Sequence, residues 1–213
     1  ANDLTAKAIL ELWKEPWFGE LEFMLIGSGA LFDPITQPLN QFENVHTKKT
    51  FLTQAEIAAL HKQYGIFLTP TRMDAQGVSR DEAMSSGLVP VTNAVTAIPE
   101  FVSADCGILA PGEDYKAMAQ GIERLYHDPE LFLTMSENAA RRVRSQTSRE
   151  YTIDKELQLI FPEQFCREEN GFLTVATRAA GRASPPAEIT VEHGEMAAET
   201  YRVNCPSFTV PLS

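Results

Sequence analysis

Short apolar runs alternate with segments of helical periodicity over about residues 1–160, and this alternation constrains the fold more than any other feature. Gly or Pro residues follow most of these runs, which is typical of buried strands that end in turns. The predicted strands are Leu21–Ile26, Asn44–His46, Gly65–Thr69, Leu88–Thr92 and Gly107–Leu109. Strands that alternate with helices pair in parallel through right-handed crossovers. The sequence therefore predicts an α/β fold with a doubly wound parallel sheet.

The character of the chain changes after residue 160. Three strands separated by Gly, Ser and Pro turns are predicted there, over Phe172–Thr177, Ala187–Glu192 and Tyr201–Val210. We therefore divide the chain into a Rossmann-like domain at 1–160 and a small β-rich C-terminal extension at 161–213. The second part is either an appendage or the start of a further domain.

Composition and charge exclude several classes of protein. The net charge of −11 argues against nucleic-acid binding, which needs a basic face. The basic cluster of Arg141, Arg142 and Arg144 is expected to be a solvated helix face. No run approaches the roughly 20 apolar residues of a membrane helix. Three widely spaced cysteines without a CxxC pair argue against disulfides and zinc, and favour a cytoplasmic location.

Two acidic residues, Asp74 and Glu82, lie on either side of a glycine-bearing loop between a predicted strand and the next helix. Ligands of α/β proteins bind at this carboxyl edge of the sheet. Carboxylates accept strong hydrogen bonds from sugar hydroxyls, and the amides of Gly77, Val78 and Ser79 could donate to an anion such as a diphosphate. From the residues alone two interpretations stay open, a ligand site or a pair of helix caps.

Arg72 stands beside this loop, and its role is also left open. A positive group at this place could contact phosphate, or it could pair with Asp74 or Asp81. No metal site is predicted, because His46 and His61 are single and no HxxxH or HExxH motif exists.

Several segments together resemble the donor-site signature of a known family. Thr69–Arg72 (TPTR), Asp74–Val78 (DAQGV) and Glu82–Val91 (EAMSSGLVPV) resemble retaining glycosyltransferases of the GT-B fold, of the group 1 type. Sucrose synthase and bacterial mannosyltransferases belong to that family. Further similar segments follow in consistent order at Ala97–Val102, Gly107–Gly112, Asp128–Glu130 and Ala139–Arg141.

The resemblance implies that the chain is the C-terminal, donor-binding half of such an enzyme. Glu82 would hold the ribose hydroxyls of the nucleotide. Asp74 would bind a hydroxyl of the transferred sugar, where the family has glutamate. Other donor-binding positions implied by the resemblance are Arg72, Ala75, Gln76, Gly77, Val78 and Ser79, together with Gly27 in a strand-ending Gly-x-Gly.

The resemblance also implies partners and missing parts. The expected substrates are a nucleotide diphosphate sugar and a saccharide or other glycan acceptor, in polysaccharide biosynthesis, with no metal or other cofactor. The first strand of the donor domain, its basic loop and the N-terminal acceptor domain are expected upstream of Ala1. Peripheral membrane association through that missing part fits the same expectation.

Two departures from the family pattern motivate an alternative function. Asp74 replaces glutamate, and Gln76 replaces the aromatic residue of the family's Gly-Phe-Gly. A nucleotide-sugar-binding or assembly module that has lost catalysis would accommodate both. A nicotinamide-dependent oxidoreductase is disfavoured, because the three-glycine fingerprint of such enzymes is missing.

Overall fold

The computed structural model describes residues 1–160, except the side chains of residues 150, 158 and 160, and the backbone of five strands between residues 164 and 211. The chain divides into two compact units, Ala1–Gln146 and Thr147–Ser213. Within the described part, no helix combines the length and apolar character that a membrane span requires.

The first unit follows the predicted alternation of strands and helices. Its helices are α1 (Asn2–Leu12), α2 (Phe32–Thr36), α3 (Gln54–His61), α4 (Val78–Ser85), α5 (Ile98–Phe101), α6 (Tyr115–His127) and α7 (Pro129–Thr147). Its strands are β1 (Phe23–Gly27), β2 (Val45–Lys49), β3 (Ile66–Leu68), β4 (Val89–Asn93) and β5 (Ile108–Ala110). The predicted strands are all present, with ends that differ by a few residues.

All pairs of strands in this unit are parallel. β1 pairs with β2, and β4 lies between β3 and β5 in a second sheet. The predicted α/β fold with parallel strands is confirmed. β4 is buried along its whole length, as expected for a central strand that is covered on both faces.

Helices cover the β3–β4–β5 sheet on both faces. Val89 and Val91 of β4 join a hydrophobic cluster to which α1 and α6 contribute. Pro90 lies between these two valines in β4, and its side chain is on the opposite face of the sheet, against Gly107. A second cluster there contains residues of α4, α5 and α7. Because side chains alternate along a strand, the two clusters lie on opposite faces of the sheet, as a doubly wound fold requires.

The second unit contains α8 (Arg149–Ile160) and five strands, namely β6 (Gln164–Glu169), β7 (Phe172–Thr177), β8 (Ala187–Val191), β9 (Glu199–Val203) and β10 (Ser207–Pro211). These strands pair antiparallel in the orders β10–β7–β6 and β8–β9. The single strand predicted over Tyr201–Val210 was wrong, because β9 and β10 join different sheets. β6 was not predicted, and the role of this unit stays open.

Candidate functional site

The loop of residues 69–77, which we call the acid loop, leads from the carboxyl end of β3 to the start of α4. Gly77 precedes α4 with φ 83° and ψ 54°, a left-handed conformation that glycine adopts without steric cost. No side chain caps α4. The first N–H groups of the helix are therefore left for a ligand or water.

Asp74 is half-buried in the acid loop. Its Oδ1 accepts a hydrogen bond from the N–H of Gln76 at 3.1 Å. Both backbone groups of Asp74 bond to the hydroxyl of Thr96, at 3.1 Å for the N–H and 2.8 Å for the carbonyl. The carboxylate has no cation partner among the described residues, so it remains able to accept hydrogen bonds from a ligand.

Glu82 lies on α4 and is half-buried. Among the described residues it takes part in no side-chain hydrogen bond or salt bridge. Its charge acts on the ring of His61, whose pKa is lowered by burial and raised in part by Glu82. His61 is buried, and its Nδ1 lies 3.4 Å from the hydroxyl oxygen of Ser86, as expected for a packing residue.

Arg80 and Asp81 of α4 form a buried ion pair that lies against the acid loop. Arg80 is 1% exposed and Asp81 7% exposed, and Arg80 donates to Asp81 Oδ1 from Nη2 at 2.8 Å and from Nε at 3.1 Å. Arg80 also donates to the backbone carbonyl of Gln76. Its guanidinium lies 5.0 Å from the ring centre of Phe101. Burial raises the pKa of Asp81, and the bonds from Arg80 oppose that shift.

Gly77 lies directly against the guanidinium of the same arginine. A Cβ at this position would lie 2.6 Å from Nη1 of Arg80, so no other residue fits without a shift. Nη1 of Arg80 and Oδ2 of Asp81 are buried without a hydrogen-bond partner. The buried charges of Arg80 and Asp81 therefore compensate each other, and removal of either one would leave the other without a counter-charge.

Arg72 pairs with neither Asp74 nor Asp81. Its guanidinium makes two hydrogen bonds to Asp3, at 2.9 and 2.8 Å, and two to Glu113, both at 2.8 Å. The bonds from Arg72 lower the pKa of Asp3 to about 2 and also lower the pKa of Glu113. Pairing with Asp74 or Asp81 was one of the two interpretations left open by the sequence. Arg72 instead meets Asp3 and Glu113 because the start of α1 and the loop after β5 reach the acid loop at the same edge.

Side chains at the end of β4 join the neighbouring strand ends. Asn93 is fully buried, and its amide bonds to both backbone groups of Thr71 and to the carbonyl of Gly112. Thr92 donates to the carbonyl of Thr69 at 2.9 Å. These bonds fix where the acid loop leaves the sheet.

The basic cluster on α7 is not simply a solvated face. Arg142 donates to the carbonyls of Phe101 and Glu100, at 2.7 and 3.0 Å, and so satisfies the end of α5. Arg144 donates to the carbonyl of Ser85 at the end of α4, at 3.4 Å. Cations at helix ends stabilise the last carbonyls. The expectation holds for Arg141 and Arg144, which are exposed. It was wrong for Arg142, which is half-buried because the end of α5 packs beside α7.

The structure gathers most of the predicted donor-site residues at the acid loop and the start of α4. Ala75, Gln76, Val78 and Ser79 are exposed there. Gly27 is separate, because it ends β1, and a Cβ there would lie 3.3 Å from Phe32. In the part of the chain that the structure describes, no group of three His, Cys, Asp or Glu side chains could hold a metal ion.

Sequence reasoning missed three supporting residues, namely Arg80, Asn93 and Thr96. The polar pair Thr92–Asn93 at the end of an apolar strand was an available signal for a role at the strand ends. For Arg80, the available signal was its position in the sequence. It lies between Asp74 and Glu82, on a helix that continues with the apolar residues Ala83 and Met84. Thr96 had no comparable signal, because its conformation depends on the surrounding backbone.

A family model described as "Glycosyl transferases group 1" matches residues 1–128. The chain therefore belongs to this family. Its parallel α/β fold is shared with solved glycosyltransferases of the GT-B fold.

Individual relatives are similar over part of their length. The capsular polysaccharide biosynthesis glycosyltransferase CapM of Staphylococcus aureus is 29% identical over 114 residues, which cover 53% of this chain and 30% of CapM. A TarM variant of S. aureus, in complex with fondaparinux, alpha-GlcNAc-glycerol and UDP, matches with a TM-score of 0.64 and 20% identity over 74% of this chain and 32% of TarM.

The pneumococcal O-GlcNAc transferase GtfA, in complex with UDP and GlcNAc, matches with a TM-score of 0.61 and 23% identity over 74% of this chain and 32% of GtfA. The chain thus spans about a third of the length of these three relatives. At these identities the solved structures establish the fold alone.

Proposed function

We propose that the protein transfers a sugar from a nucleotide diphosphate sugar to a saccharide or other hydroxylated acceptor, with retention of configuration. Residues 1–160 would bind the donor, and an N-terminal domain outside this chain would bind the acceptor. The acid loop and the start of α4 together carry the proposal. They place the carboxylates of Asp74 and Glu82, which have no cation partner among the described residues, and an uncapped helix start at the carboxyl edge of a parallel sheet.

The contacts of the acid loop suggest a division of roles. Glu82 would accept hydrogen bonds from the ribose hydroxyls, and Asp74 from a hydroxyl of the transferred sugar. The amides of Gly77, Val78 and Ser79 would donate to the diphosphate. Donors at a helix start stabilise the negative charge that grows on a leaving diphosphate, so the proposal needs neither a metal nor a protein nucleophile.

Arg72 and Gly27 have lesser roles in this proposal. The guanidinium of Arg72 is bonded to Asp3 and Glu113, so a contact with phosphate requires exchange of one carboxylate. Gly27 allows a close turn after β1. A cytoplasmic location belongs to the same proposal, since three widely spaced cysteines without a CxxC pair favour a reducing compartment.

Calorimetric titration of the natural-length protein with UDP-glucose, UDP-N-acetylglucosamine and GDP-mannose, and with UDP and GDP alone, tests the binding roles. Loss of one charge-assisted hydrogen bond is worth about 1.5–3 kcal/mol, or roughly 10- to 100-fold in affinity. Glu82→Gln should weaken both nucleotide and nucleotide sugar by that factor. Asp74→Asn should weaken only the nucleotide sugar.

Glu137→Gln on α7 provides the matched control, since this acid is exposed and lies outside the acid loop. It should leave every affinity unchanged. Absence of nucleotide-sugar binding by the wild type would refute the proposal. A wild type that binds the donor but never turns it over with any acceptor would favour the alternative of a non-catalytic module, for which Asp74 and Gln76 are the motivating departures.

A further inference from the structure

Thr96 has a backbone conformation that residues of its type rarely adopt. Its φ is 47°, and among the described residues it is the one non-glycine with a positive φ. A branched Cβ makes the left-handed region especially unfavourable. Such strain persists only where the surrounding structure determines it, and it is concentrated at functional sites.

The neighbouring backbone holds Thr96 in this conformation. On one side, the N–H of Ala94 donates to the carbonyl of Ala110 in β5 at 2.8 Å. On the other side, the N–H of Ile98 donates to the carbonyl of Val95 at 3.1 Å, where α5 begins. The short connection between β4 and α5 is therefore fixed at both ends.

The strained conformation presents a hydroxyl to Asp74. Oγ1 of Thr96 accepts from the N–H of Asp74 at 3.1 Å and donates to its carbonyl at 2.8 Å. A hydroxyl is both donor and acceptor, so one group satisfies the two backbone atoms of Asp74. With a negative φ at residue 96, Cβ and its hydroxyl would point elsewhere and both bonds would be lost.

We propose that Thr96 is a positioning residue for the sugar of the donor. It fixes the backbone of Asp74 and thereby aims the Asp74 carboxylate at the transferred sugar. The inference rests on the proposed function, because it needs Asp74 to contact the sugar. It adds a residue from a different loop, whose hydroxyl bonds to the backbone of Asp74.

Three substitutions in the natural-length protein separate the hydroxyl from the strain. Thr96→Ser keeps the hydroxyl, Thr96→Val keeps the branched shape without it, and Thr96→Gly removes both hydroxyl and strain. Affinity is measured by calorimetry for UDP-glucose, UDP-N-acetylglucosamine and GDP-mannose, with UDP and GDP as the matching nucleotides. Amide hydrogen exchange at Asp74 and the melting temperature are recorded for each variant.

Thr96→Ser should bind the nucleotide sugar within twofold of the wild type. Thr96→Val and Thr96→Gly should bind it about tenfold more weakly, with unchanged affinity for the nucleotide and faster exchange at the Asp74 amide. A purely structural role would instead lower nucleotide and nucleotide-sugar affinity together with the melting temperature. Rescue by serine and the sugar-specific loss are the signatures of positioning.

These measurements distinguish failure of the proposed function from failure of the positioning role of Thr96. A wild type that binds no nucleotide sugar would overturn the proposed function, whatever Thr96 does. A wild type that binds, with Thr96→Val and Thr96→Gly equal to it, would overturn the positioning role alone. Equal loss of nucleotide and nucleotide sugar in the two variants would overturn it as well.

Discussion

Replacement of Arg80 by methionine should destabilise the first unit strongly, and more so at higher pH. Methionine retains an unbranched apolar stem beside Phe101 but leaves the buried carboxylate of Asp81 without its cation. Removal of one partner of a buried ion pair costs about 3–5 kcal/mol. Both side chains are less than 10% exposed, so solvent screens the pair little, and we expect a loss in that range at pH 8.

The dependence on pH follows from Asp81. Burial already raises the pKa of this carboxyl in the folded protein, and loss of Arg80 removes the main opposing influence. A folded pKa above the unfolded one means that stability falls as pH rises from the unfolded value through the folded value. At pH 5 the variant takes up a proton at Asp81 more readily, and its loss of stability should be smaller than at pH 8.

Urea unfolding followed by tryptophan fluorescence provides the assay. Trp17 is buried and its ring centre lies 4.4 Å from that of Tyr126, so its emission should change on unfolding. Arg80→Met/Asp81→Asn is the matched control. It should be more stable than Arg80→Met at pH 8, with a difference from wild type that changes little between pH 5 and 8. An equal loss at both pH values, together with no recovery in the double variant, would refute the reasoning.

Further predictions concern Gly77 and the Asp3–Arg72 pair. Gly77→Ala should lose about 1–2 kcal/mol from its left-handed backbone and more from contact with the buried guanidinium, and it should weaken donor binding in calorimetry. Gly87→Ala, at φ 87° with Ser136 Oγ 3.2 Å from the added Cβ, should show the backbone loss alone, without a change in donor affinity. Asp3 should titrate by NMR with a pKa of about 2, so its contribution to stability is present above pH 4 and lost as pH falls through 2. In Arg72→Gln that pKa should return toward 3.8, and an unchanged value would contradict the pairing.

The order of strands and helices was predictable because most strands are short apolar runs with Gly or Pro close to their ends, although β2 (VHTKK) is polar and mostly exposed. Gly65 and Pro70 bracket β3, and Gly87 precedes β4. The ends differed where tertiary contacts decide them. Strand β2, for example, was predicted over Asn44–His46 but extends to Lys49, because it pairs with β1 as far as Gly27.

The acid loop was predictable for the same local reason, since it follows one strand and precedes one helix. The partners of Arg72 were not, because Asp3 and Glu113 are 69 and 41 residues away in the chain. Sequence spacing favours neighbours such as Asp74. The fold instead brings together the ends of separate elements, and no local pattern records that proximity.

The acid loop is held through its backbone atoms by side chains that belong to other segments. Thr96 bonds to the peptide groups of Asp74, and Arg80 bonds to the carbonyl of Gln76. Mutation of the exposed side chains at residues 75 and 76 therefore leaves these bonds intact. Evolution can therefore alter the side chains that positions 75 and 76 present without loss of these bonds, and the glutamine at position 76 is a substitution of the kind that such a loop tolerates.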